Sequence, residues 1–413
     1  MNKKGSLAYT LLLILVLTAL SAAILLRSVN ENTIASRVAN SSAALWAAEA
    51  GVQKAFWEYT YNNCVGMVQQ GTATACVSCS SCGGGNKTLA ATLSGYGDYD
   101  VVLNNANSQI QSVGSVPSRS STKKVVRNIQ TALSKPSIFS YGIFAKGQVT
   151  IANNALVDSY NSTNGLYGGA NILHNGNVGS NGTTAGIVNV NNNGTVYGNV
   201  STGAGGTVTQ GNGSIVSGTI TNDNSIELPS VVVPSTLTGL SSGGTYSVGN
   251  NATQTLNAGD YKYTNVSLSN NSTLNVNGTV RLYLTGASAF TTQNNVIINV
   301  NSGANLTIYT DGVTTFNNNI TINNVAKDAS KFLIYSTYSS NTNGVTLNNN
   351  SASYVGVYAP NTKIDISNNA GLFGAVVGKA VNLNNNGEVH YDEALASMAN
   401  PYEDAIINNW QEY

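Results

Sequence analysis

From Leu7 to Leu26 the chain carries neither a charge nor a proline, and this run starts almost at the first methionine. As a helix, at ~1.5 Å per residue, it is about 30 Å long, the thickness of a bilayer's hydrocarbon core. Secretory signals have a shorter apolar stretch of about 7–15 residues, closed by small residues at a cleavage site. A cut near Ala22 and Ala23 would leave Ile24, Leu25 and Leu26 on the mature protein. We therefore read the run as a retained span. Lys3 and Lys4 precede it, and the only base close behind it is Arg27. That asymmetry keeps the amino end in the cytoplasm and sends the rest of the chain across the membrane.

Helical character continues beyond the span. Between Arg27 and Tyr59 there is no proline and a single glycine, Gly51, while Ala43, Ala44, Ala47, Ala48 and Ala50 are strong helix formers. Leu45, Ala48, Val52 and Phe56 fall on one helical stripe, with Arg37, Glu49, Gln53 and Lys54 on wetter sides. One helix from Ser6 to about Tyr59 would be ~80 Å long, far more than a bilayer needs. Its second half must stand outside the membrane and pack on something.

Lys3-Lys4-Gly5 before the apolar run, and Leu45-Trp46-Ala47-Ala48-Glu49-Ala50-Gly51-Val52 after it, carry a family likeness. Over roughly residues 1–60 the chain resembles type IV prepilins and secretion-system pseudopilins, and among them the PilX-type pilus-assembly proteins. The resemblance implies that a prepilin peptidase cuts after Gly5 and that Ser6 becomes a methylated mature terminus. It also implies a filament helix, with Thr10, Trp46, Glu49 and Gly51, packed among other pilin or pseudopilin subunits. A plain signal-anchor helix is the alternative. One position departs from the family pattern. Most major pilins carry Glu as the fifth residue after the cut, thought to neutralise a neighbour's terminal amine; here Thr10 stands there. A buried charge that lacks its partner is costly. The resemblance thus implies a minor subunit, at the tip or initiating assembly, rather than a bulk fibre subunit.

The remainder has a different composition. Eighteen basic residues balance 18 acidic ones among 413, which argues against a nucleic-acid partner, since that needs a basic face. Glycine, asparagine, threonine and serine abound, yet valine, leucine and isoleucine recur in alternation, a strand signal rather than that of a solvated coil. Cys64, Cys76, Cys79 and Cys82 lie close together. Outside the cytoplasm four cysteines read first as two disulfides, with a four-thiolate metal site as the competitor; the pairing is open. We expect no cofactor and no metal. Tyr99–Leu103, Gln109–Val113 and Lys124–Ala132 alternate as three strands, with Val101, Ile110, Val113, Val125 and Ile129 as core candidates. Ser134-Lys135-Pro136-Ser137 breaks that pattern.

Beyond this break a repeat dominates. Short alternating strands end in asparagines at Val188–Gly194, Val266–Asn271, Val345–Asn350, Ile364–Asn369 and Val381–Asn386. Val208 begins 20 residues after Val188, and the last three copies begin 19 and then 17 residues apart. Strand repeats of about 20 residues indicate a solenoid, with Asn and Gly at the corners because both tolerate a left-handed backbone. Stacked asparagines can form amide ladders between repeats. The expected fold is therefore α+β, mainly β: a long pilin helix, a small β section, then a parallel β-helix irregular between Leu228 and Tyr261. About a dozen rungs would span near 60 Å. A two-sheet sandwich is the alternative. The expected divisions are 1–5 leader, 6–60 helix, 61–137 cysteine loop and small β section, 138–395 β-helix, and 396–413 C-terminal cap.

Val376-Val377-Gly378-Lys379, Val381–Asn386 and Val389–Leu395, with Asp158–Asn161 and Tyr167-Gly168-Gly169, resemble an uncharacterised β-rich domain attached to PilX-like proteins. That resemblance implies a module without a chemistry. The one dense polar group is His390, Asp392 and Glu393, which reads either as an acid–base or metal constellation or as the start of a short helix. We favour the helix start, and we read Asp158 as a turn or cap. Charges are too sparse for a catalytic face, so no enzyme is expected.

Three functions compete at this level. The first is a structural pilus-assembly subunit, anchored in the bacterial inner membrane by a single pass and displayed in the periplasm or on a pilus. The second is a pilus-borne adhesin, whose partner would be a surface glycan. The third is a membrane-anchored enzyme acting on polysaccharide.

Overall fold

The computed structural model describes residues 3–61, 64–69, 86–104, 108–134, 137–348, 350, 352–398, 401 and 406–413. It divides into a unit of residues 1–135 and 404–413, and a second unit of residues 136–403.

The first unit is one long helix on an antiparallel sheet. Helix α1 (Lys3–Tyr61) runs without a break, as the missing prolines and abundant alanines predict. Five strands follow: β1 (Val68–Gln69), β2 (Lys87–Leu93), β3 (Gly97–Asn104), β4 (Gln109–Val116) and β5 (Val125–Ser134). They pair antiparallel in chain order, and the C-terminal strand Ile406–Glu412 adds to β5. The tail therefore does not form the expected cap. Ile406 and Ile407 pair with Ser134 and Leu133 and extend this sheet.

Small residues decide how closely α1 approaches. Ala44, Ala47, Ala48, Val52 and Ala55 are fully buried, as are Leu103, Ile110 and Ile129 on the sheet. A Cβ on Gly114 would strike the Ala44 carbonyl, and one on Gly51 would strike the Ser112 hydroxyl. At Gly114 only glycine leaves room for the helix backbone, and at Gly51 only glycine leaves room for the sheet's side chains. That contact corrects the expected core. Ser112 and Gly114 face the helix, while Val113 and Val125 are only half-buried.

The second unit is a large β-rich domain whose strands pair in parallel. One column of partners reads Tyr246, Val266, Phe290, Thr314, Val345, Ile364, Val381, Val149, Val188 and Val208. Every repeat start found in the sequence stands in this column. The layer order is not the chain order, however: Val149, from the domain's beginning, pairs with Val381, near its end. The stack begins at Thr245–Val248, runs to Asp392, and continues with 143–224. Ten layers give nine gaps, about 43 Å at ~4.8 Å each, short of the expected span.

Residues 225–244 must consequently return from the last layer to the first. Twenty extended residues reach about 66 Å, which suffices. The return is pinned where Asn181 exchanges two hydrogen bonds with Ile226, and where Tyr358 Oη donates to the Pro229 carbonyl at 2.6 Å. Val231 and Leu237 bury against Tyr309, Tyr335 and Tyr358, which stand in register on successive strands. The expected irregularity up to Tyr261 is thus confined to this return, because Thr245 already pairs with Asn265.

Asparagines hold one corner. Asn251, Asn271, Asn295, Asn319, Asn350, Asn369, Asn386, Asn154 and Asn193 all have left-handed backbones, with φ of 57–63°, a region that favours Asn and Gly on steric grounds. Each side-chain amide donates to the preceding one at 2.9–3.3 Å, so the ladder is unbroken. It crosses from Asn386 to Asn154 at 3.2 Å, where the two ends of the domain meet.

Candidate functional site

Helix α1 presents two different surfaces. Large apolar side chains from Leu11 to Val38 are bare, with Leu15 and Leu26 64% and 67% exposed, whereas the alanines from Ala44 are buried in the first unit. This helix is long and apolar enough to cross a membrane. Gly5, Ser6 and Thr10 lie on its first turns. Trp46 is exposed away from the sheet, Glu49 is half-buried and Gly51 is buried. Near the helix's end Glu58 is buried, bonded by Lys54 Nζ at 2.9 Å and by the Gly66 amide at 2.9 Å. Cys64 is disulfide-bonded. Cys76, Cys79 and Cys82 lie outside the described residues.

The densest polar group of the second unit sits where strand Leu156–Tyr160 pairs with strand Glu388–Asp392. The register sets Asp158 beside His390. His390 Nδ1 lies 2.6 Å from Asp158 Oδ1, and its Nε2 lies 3.0 Å from Glu388 Oε2. Tyr167 Oη donates to the other Asp158 oxygen at 2.6 Å. The imidazole packs in a cluster with Tyr167 and Phe373, their ring centroids 4.0 and 4.6 Å from it and 5.5 Å from each other. Burial opposes a charge on His390, but the two carboxylates outweigh it and hold the ring above its ordinary pKa. The same hydrogen bond from His390 holds Glu388 below the usual carboxylate range.

The sequence-chosen trio is not brought together as a trio. Asp392 accepts from the amides of Ser162 and Ala394 at 3.0 and 3.2 Å, capping the 3-10 turn Glu393–Ser397. Burial raises its pKa against those bonds. Glu393 Oε1 accepts from Ser159 Oγ and Asn175 Nδ2 at 2.8 and 2.9 Å. Asp158, expected in a turn, is instead a buried strand residue. Sequence reasoning named Asp158 and Tyr167 as part of a domain resemblance, missed that they meet His390, and missed Glu388 and Phe373. The only signal was the alternation that puts 388, 390 and 392 on one face; no local pattern reveals the partner strand.

Chemically this group is closed. A histidine with both ring nitrogens donating to carboxylates has no lone pair for a metal or for a substrate proton. Asp158 and Asp392 spend both oxygens, and Glu393 its Oε1, on neighbours in the same fold. The cluster joins strands more than 200 residues apart and works as a lock between the two ends of the domain.

Comparisons with known proteins add little to this geometry. Residues 212–398 match a family described as a domain of unknown function, DUF7305. No curated protein matches the chain. Among solved structures, the competence-associated pilin ComZ from Thermus thermophilus aligns over 91% of this chain and 97% of its own, at 11% identity and a TM-score of 0.23. That score is too low to establish a common fold.

Proposed function

We propose that the protein is a minor subunit of a type IV pilus or pseudopilus, placed at the tip or at initiation. In this reading α1 anchors the chain in the bacterial inner membrane with its amino end in the cytoplasm. After cleavage by a prepilin peptidase between Gly5 and Ser6, the same helix stacks with other pilin subunits. The observation that carries the proposal is the division of α1 between a bare apolar half and a half packed on an antiparallel sheet. Soluble proteins do not leave such a stripe in water, and a plain anchor would not continue through a folded unit. Thr10 in place of the usual glutamate favours a subunit that lacks one neighbour.

The parallel sheet then winds as a β-helix displayed in the periplasm or on the pilus. Its support is the pairing of each strand with the third one along the chain, which recurs with parallel register through most of the stack. No reaction is assigned to it, since its densest polar cluster is consumed by internal hydrogen bonds. The test is intact-mass measurement of the protein from cells with and without prepilin peptidase. Loss of Met1–Gly5 with a methylated Ser6, only when the peptidase is present, is expected. Equal mass in both strains would overturn the proposal.

A further inference from the structure

A second polar locus lies on another corner of the parallel unit, where three successive layers each bring one lysine. Lys146, Lys363 and Lys379 line a cleft of about 430 Å³ with Gln148, Ser339 and Asn361. The register explains the convergence. The Lys146 amide donates to the Gly378 carbonyl at 3.0 Å, and the next amide, of Gly147, donates to the Lys379 carbonyl at 2.9 Å. Lys363 pairs with Ala380, the residue after Lys379. Between Ala359 and Lys363 the strand carries extra residues that its neighbour lacks, and this bulge supplies Pro360 and Asn361 as the cleft wall.

The chain has only 18 basic residues, so three in one cleft need a reason. Among the described residues none of the three is in an ion pair, in contrast to Lys54, Arg119, Arg127 and Arg281. Two rest on neutral amides instead: Lys146 Nζ donates to Asn361 Oδ1 at 2.9 Å and Lys379 Nζ to Asn341 Oδ1 at 2.6 Å. Burial, and then the charge of Lys379, lower the pKa of Lys146. Like charges held together in a cleft whose own lining, among the described residues, carries no carboxylate are unfavourable when it is empty and become favourable once an anion sits among them.

A second cleft, of about 350 Å³, continues from the first and shares Gln148 and Lys363 with it. Its lining of Thr150, Asn343, Asp365 and Asn382 offers amide donors, a hydroxyl and a carboxylate acceptor. Such a mixture matches the alternating donors and acceptors of sugar hydroxyls. Among the described residues no aromatic side chain lines either cleft, so there is no platform for stacked bases. We propose that this continuous groove binds an acidic saccharide, its carboxylate held by Lys146, Lys363 and Lys379 and its neutral hydroxyls by the amide-lined extension. The site stands independently of how α1 is processed or assembled.

The test uses the full chain in detergent micelles, titrated calorimetrically with a uronic-acid oligosaccharide, a neutral gluco-oligosaccharide of equal length, and inorganic phosphate. The uronic-acid chain should bind about tenfold or more tightly than the neutral one, the worth of one or two charge-assisted hydrogen bonds. Its affinity should fall as salt rises. Lys363→Gln with Lys379→Gln should weaken it at least about tenfold, while Lys363→Arg should retain it. Lys146 stays, because its partial burial ties it to folding, and unchanged circular dichroism shows that the variants fold. Equal affinity for the neutral chain, indifference to the lysine substitutions, or no binding of the uronic-acid chain would each overturn the proposal. Phosphate binding as tightly as the oligosaccharide would overturn it too, by reducing the site to a general anion cleft.

Discussion

The first unit covers its sheet with one helix, at a contact whose small residues occur once each. The parallel unit covers its strands with further copies of themselves. In the first, Gly51, Ser112 and Gly114 let α1 come close, and no neighbouring residue can take over if one of them grows. In the second, Val188, Val266, Val345, Ile364 and Val381 hold equivalent places, so damage at one layer is shared by the next. A unique interface fails locally and completely; a repeated one fails gradually along the stack.

The sharpest way to break this contrast is to place a charge in the repeated column. Ile364→Asp buries an unpaired carboxylate among apolar neighbours and should cost about 4 kcal/mol. Hydrogen exchange should show loss of protection spreading to the layers of Val345 and Val381, while β3 and β4 keep theirs. Gly114→Val should cost somewhat less, about 3 kcal/mol, by driving a methyl into the α1 backbone. Calorimetry should then show only the transition of the first unit moving down. A single shared shift in either variant would erase the distinction between the units.

The lock between the domain's ends is a smaller and pH-dependent contribution. The folded protein raises the pKa of His390, so the stabilisation is complete below about pH 6.5, the unfolded value, and is lost as pH rises through the folded value. Glu388 behaves in the opposite sense: its lowered pKa gives a contribution present above about pH 4.5 and lost as pH falls. Between those limits His390→Gln should cost about 2 kcal/mol, the worth of hydrogen bonds to charged groups. Denaturant titrations from pH 5 to 9 should show the gap between wild type and variant shrinking upward. A gap independent of pH would mean that the ring serves only as packing against Tyr167 and Phe373.

Smallest is the asparagine ladder. Asn319→Gly keeps access to the left-handed backbone and removes two amide hydrogen bonds, so it should cost about 1 kcal/mol. Asn319→Ala adds backbone strain and should cost more than the glycine variant. Equal costs would mean that the ladder, and not the turn conformation, carries the corner.

How much of this was legible follows from the range over which each signal acts. The extent of α1 and the column of repeat starts were readable, because alanine content, alternation and asparagine corners are local. The layer order was not, since nothing near Val149 announces that Val381 is its partner, and the strap of residues 225–244 follows from that order. For the same reason Asp158 passed as a turn residue and the three lysines passed unnoticed, although each is plain once the register is known. Val113 misled because alternation alone picks the larger side chain, while the close helix selects Ser112 and Gly114.

Membrane flotation after alkaline carbonate extraction tests the two-sided use of α1 directly. The full chain should float with the membranes. A chain beginning at Ser28, which keeps every buried contact of α1 and loses only the apolar run, should stay in the soluble fraction while still folded. Recovery of the full chain in the soluble fraction would contradict it.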